Sequence, residues 1–83
     1  MIYDIFSVRD SKTDFFPPQM HASVGDAKRS LAMTVNTPGN MVSFSPKDFD
    51  LYRVATFNSS TGEVTSVCPV EFICSATSLV KEE

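Results

Sequence analysis

The chain has 83 residues, of which 42% are hydrophobic and 20% charged, with a mean hydropathy of -0.03. That is one small domain, residues 1–83, with too little volume for a core, a deep pocket and a catalytic constellation together. Seven Phe and two Tyr argue against disorder, and a net charge of -3 excludes an indiscriminate basic coat for nucleic acid.

Residues 2–8 (IYDIFSV) read as an inner strand, with Ile2, Phe6 and Val8 on one face and Tyr3 and Ile5 on the other. Residues 9–13 (RDSKT) are a polar break. Asp14 to Ala22 contains Pro17-Pro18 and reads as an extended, polyproline-like arm opened by Phe15 and Phe16. Ser23 then caps a helix, with Asp26 favouring its positive end. Val24, Ala27, Leu31 and Val35 share one apolar stripe, and Asn36 with Pro38-Gly39 stops the helix. Residues 40–50 form a connection in which Ser45 to Asp48 fits a single helical turn with Pro46 first.

Leu51 to Phe57 is a strand, Asn58 to Gly62 a hairpin loop, and Glu63 to Cys68 the antiparallel return. Beyond Pro69, the alternation of Val70, Phe72, Cys74 and Ala76 predicts a last strand with one fully apolar face. Lys81-Glu82-Glu83 reads as frayed. The fold class is therefore α+β, a small, mostly antiparallel sheet of about four strands with one helix packed on one face. Tyr3, Ile5 and alternate positions of the later strands place more apolar groups on the other face than one helix can hide. A homodimer packed through that face is the simplest resolution.

The chemistry-bearing residues are sparse. His21 is the only histidine and lies in the proline arm among undistinguished serines, so it reads as a loop residue rather than a catalytic base. Cys68 and Cys74, on one extended strand, would stand about 20 Å apart, too far to bridge. Both read as small buried hydrophobes in a reducing compartment, and no metal or cofactor site is expected. No glycine-rich phosphate cradle, secretory leader or membrane-spanning run is visible, and the expected location is cytosolic. The protein is not expected to be an enzyme.

Nucleic-acid binding has better support. Single-strand binders combine cations with aromatic faces on which bases stack. Arg9, Lys12, Phe15 and Phe16 cluster between the first strand and the arm, and Lys28 and Arg29 lie on the first turns of the helix. Arg53 is a further candidate, although it and Tyr52 point to opposite faces of their strand. Residues 1–62 carry six basic and six acidic side chains. The whole excess of -3 follows Gly62, where Glu82 and Glu83 at the end could brake binding to a basic face.

Three stretches resemble one family. MIYDIFSVRD (1–10), DAKRSLA (26–32) and above all SPKDFDLYRVATFNSSTGEV (45–64) are similar to the small nonstructural protein of gokushovirus-type microviruses, which are small single-stranded DNA bacteriophages. Ala55-Thr56 stands where the pattern usually has Gly, and Asn58 where it has Asp. The resemblance implies a DNA-binding protein of the bacterial host cytoplasm that assists single-stranded genome replication or packaging. It carries no catalytic residues. The expected partners are single-stranded DNA, phage replication or capsid proteins, and a second copy of the chain. A different class, a protein-interaction module indifferent to DNA, is the alternative.

Overall fold

The computed structural model describes residues 1–81, so Glu82 and Glu83, and the acidic brake assigned to them, lie outside the described residues. Four strands, β1 (Ile2–Asp10), β2 (Gln19–His21), β3 (Phe49–Asn58) and β4 (Glu63–Ser75), form one antiparallel sheet in the order β2-β1-β3-β4. Helix α1 (Val24–Val35) and the short α2 (Met41–Phe44) cover one face. The expected α+β class with about four antiparallel strands is the observed one.

Two strands are assembled differently from expectation. The proline arm is no free extended segment. Asp10 donates its N–H to the Asp14 carbonyl, and Phe16 donates to Val8, so the chain doubles back along β1. Gln19–His21 then pairs with Phe6 to Asp4 as a short edge strand. Pro17 and Pro18, which cannot donate to a ladder, sit just before that pairing rather than within it. On the far side, the two returning strands fuse into β4. Residues 67–70 stand out from the ladder between the Ala55–Ser66 and Arg53–Glu71 pairs, so Pro69 is accommodated without ending the strand.

Local chemistry explains the helices. The Ser23 side chain accepts the Asp26 amide at 3.1 Å, as its capping position requires. Asn40 and Ser43 form a reciprocal capping box that starts α2, a turn the sequence reading missed because its apolar content is only Met41, Val42 and Phe44. Pro46 opens a 3-10 turn over Pro46–Asp48, as expected. Gly62 closes the β3–β4 loop at φ +77°, in the left-handed region where a Cβ would be penalised.

The core joins Ala27, Leu31 and Val35 of the α1 stripe to Phe6, Phe49 and Leu51 of the sheet, with Val42 and Ala76 closing its ends. Each large side chain buried there contributes about 1.5–3 kcal/mol of transfer free energy. All of it lies over one half of the sheet. The other half, where β1, β3 and β4 run on to the 59–62 loop, has no helix above it and gives the molecule extents of 44 × 25 × 18 Å. After β4 the chain enters a 3-10 turn, Ala76–Leu79, and is held by one side chain. Asn36 donates from Nδ2 to the Ala32 carbonyl (2.8 Å) and the Leu79 carbonyl (2.9 Å), and its Oδ1 accepts the Lys81 amide (2.8 Å).

Candidate nucleic-acid interface

Pairing register decides which side chains share a face. On β1, Phe6 and Val8 turn toward the helices, so Tyr3, Ile5, Ser7 and Arg9 turn away. Tyr52 is the partner of Ser7 and Phe72 the partner of Tyr52, which puts all three on the face opposite the helices. Phe15, bridged to Arg9 at the sheet edge, completes the line. The ring centroids of Phe15 and Tyr52 are 5.5 Å apart, and those of Tyr52 and Phe72 are 5.7 Å apart, both edge to face. The Arg9 guanidinium stands 5.9 Å from the Phe15 centroid. The result is a row of three rings across the open face, with one cation at its end. Phe15 is 41% and Phe72 56% exposed, so the outer rings present area to solvent.

The row gathers some of the expected residues and disperses others. Arg9 and Phe15 belong to it. Phe16 turns the other way and packs on Phe49, 5.7 Å between centroids, at the edge of the core. Its expected role as a stacking platform is therefore corrected to a packing one. Arg53 lies on the helix side, where its guanidinium pairs with Asp4 at 3.4 Å and with Glu71 across β3. Its Nε is buried without a partner, so this cation is engaged within the sheet and faces away from the row. Lys12, in the turn after β1, is 3.9 Å from Asp48, with its side chain 72% exposed, a loose pair that a phosphate could replace. Lys28 and Arg29 sit on α1, in the layer on the other side of the sheet. The six basic residues of the body do not converge on one face.

Tyr52 and Phe72 were not among the expected site residues. Tyr52 was legible from strand alternation. Strand alternation alone puts Phe72 on one apolar face with Cys74 and Ala76, but Ile73 is an extra residue between the Leu51–Cys74 and Tyr52–Phe72 pairs. That bulge sends Cys74 toward the core and Phe72 to the open face. The cysteines are both free thiols, and neither is fully buried as expected. Cys68 is exposed, because it lies in the segment that leaves the ladder. Cys74 is half-buried, and burial pushes its thiol pKa up, partly opposed by the positive charge of Lys28.

A concavity of about 1260 Å³ opens between the end of α1, α2 and Phe49, with Val35, Pro38, Val42 and Phe44 in its wall. Phe44 is 88% exposed at its rim. Among the described residues no group of His, Cys, Asp and Glu could hold a metal ion, and no helix is long and apolar enough to cross a membrane.

No curated protein and no solved structure matches the chain significantly. Residues 3–79 match the model of the Phage ORF5 protein family, and that span takes in all of the sheet but Ile2, both helices and the aromatic row. The chain belongs to the Phage ORF5 protein family, a family of bacteriophage proteins.

Proposed function

We propose that this phage protein binds single-stranded DNA through the row Phe15–Tyr52–Phe72. The supporting observation is three rings aligned on a face without helix cover, with Arg9 at one end. Unpaired bases offer a π-face to such a row, and stacking is worth about 1–3 kcal/mol per base. A duplex hides those faces, so the row favours single strands. Arg9 supplies the cation at its Phe15 end, whereas Lys12 lines the α1–α2 groove beside Asp48. Lys28 and Arg29 would meet only a strand that wraps round to the helix layer. The role is one of binding rather than catalysis. The likeness of residues 45–64 to the gokushovirus nonstructural protein supports placing it in the host cytoplasm, in genome replication or packaging of a small single-stranded DNA phage.

Fluorescence anisotropy with a labelled oligonucleotide tests this. Phe72→Ala should weaken binding by about 1–3 kcal/mol and leave the fold intact. With one cation, Arg9, at the row, the log–log salt slope should be shallow, about -0.7 for a single phosphate. No binding at low salt sinks the proposal.

A second reading, a protein-interaction module that docks on a host or phage replication or assembly protein, is favoured by Phe44 on the rim of the α1–α2 groove. Phe44→Ser would then abolish capture of that partner and leave oligonucleotide binding untouched.

A further inference from the structure

Beyond the aromatic row, the open face continues toward the 59–62 loop, interrupted on β4 by Ser66 opposite Ala55. Tyr3 stands opposite Phe57, which stands opposite Val64, and Ile5 stands opposite Ala55 on one side and Met20 on the other. The same three strands turn Asp4, Thr56, Asn58, Glu63 and Thr65 to the helix side, beyond the reach of α1, with Ile2 at the strand end. Neither face of this half has helix cover. Selection of polar side chains on one and apolar side chains on the other marks the first as solvated and the second as covered.

We infer that a second copy of this chain covers the apolar face in the free protein, sheet against sheet about a two-fold axis, and that single-stranded DNA and the second copy compete for it. The competition rests on the DNA reading above, whereas the pairing of copies does not. Size supports this occupant. Three strands about 4.8 Å apart, each contributing about nine residues at roughly 3.3 Å, span some 15 by 30 Å. That is about 450 Å², within the range of the largest apolar patch on a monomer, and about 900 Å² counted over two copies, at the small end of specific interfaces. Charge supports it too. Arg9 and Asp50, cross-strand neighbours at one end of the face, bring one charge of each sign to it. Asp4, Glu63 and Glu71 lie on the far side, which keeps the acidic repulsion between two copies out of the contact. Identical flat faces also satisfy a two-fold contact, in which one patch must complement itself.

The test is the solution mass by sedimentation across a concentration series, without and then with a short oligothymidine. The wild-type chain should be a dimer that falls to half its mass per particle of protein as oligonucleotide is added. Val64→Glu alters a side chain 60% exposed and distant from the row, so it should fold normally. It should be monomeric and bind the oligonucleotide several-fold more tightly than wild type. A wild-type monomer at every concentration, or a Val64→Glu dimer as tight as wild type, overturns the pairing; DNA or an unrelated protein would then be the occupant. A dimer that binds oligonucleotide without dissociating overturns the competition. A dimer that ignores oligonucleotide altogether upholds the pairing and removes the DNA reading instead.

Discussion

The half of the sheet under α1 and the half beyond it differ in how they are held. Under the helix, Phe6, Phe49 and Leu51 are buried against Ala27, Leu31 and Val35. Beyond it, no residue of β1, β3 or β4 is buried, and the strands are joined by ladder bonds, cross-strand pairs and the Asp4–Arg53–Glu71 ion pairs. Hydrophobic burial holds the first half; the second is a three-stranded ribbon that borrows its order from continuity with the first. In such a ribbon side-chain polarity is free to report what each face meets. The helix-facing side of the covered half needs apolar residues for its own core, so that side carries no such information about function; its open side, with the aromatic row, does.

Substitutions should separate the two halves in graded steps, read by urea denaturation. Leu31→Ala, in the centre of the covered half, should cost about 2–5 kcal/mol, most of what a small domain has to spare. Val64→Ala in the ribbon should cost under about 1 kcal/mol, because over half of its side chain is already in water. Equal losses at the two sites would break the comparison. Asn36→Ala should cost about 1–2 kcal/mol through the lost bonds to Ala32, Leu79 and Lys81. In the ribbon, Arg53→Met should fall within about 1 kcal/mol of neutral and change the salt dependence of stability only slightly, since the pairs are partly exposed and Nε is unpaired. The cysteines give the finest contrast. An alkylating reagent should modify Cys68 of the ribbon well before Cys74. Burial raises the Cys74 pKa, so the unfolded chain loses its thiol proton first as pH rises. Cys74 therefore contributes stability below the ordinary thiol range that fades above it, and Cys74→Ala should flatten the alkaline limb of a pH–stability curve.

Much of this was legible in the amino-acid order. The stripe Val24, Ala27, Leu31, Val35 and its Ser23 cap gave away α1, and the alternation of β1 separated Phe6 and Val8 from Tyr3 and Ile5. Where reading failed, a single irregularity shifted the phase of a strand. Ile73 adds a residue to β4 and detaches Phe72 from Cys74, and the 67–70 segment exposes Cys68. Bulges leave no periodic trace, because they are fixed by pairing with a distant strand rather than by neighbours in sequence. The site suffered most for the same reason. Adjacent residues such as Phe15 and Phe16 looked like a cluster, yet an extended backbone throws them to opposite sides. Phe15, Tyr52 and Phe72, far apart in sequence, meet only through register.

The three bonds of the Asn36 amide have a mechanical consequence. They tie the last helical turn to the segment after β4, so that segment cannot peel from the domain without loading the end of α1. Force applied at the C-terminus would therefore be resisted first by the helix layer, while the ribbon at the other end of the molecule stays unstrained. Amide exchange at Lys81 should accordingly keep pace with opening of the Asn36 turn rather than with the fast motion of a loose tail.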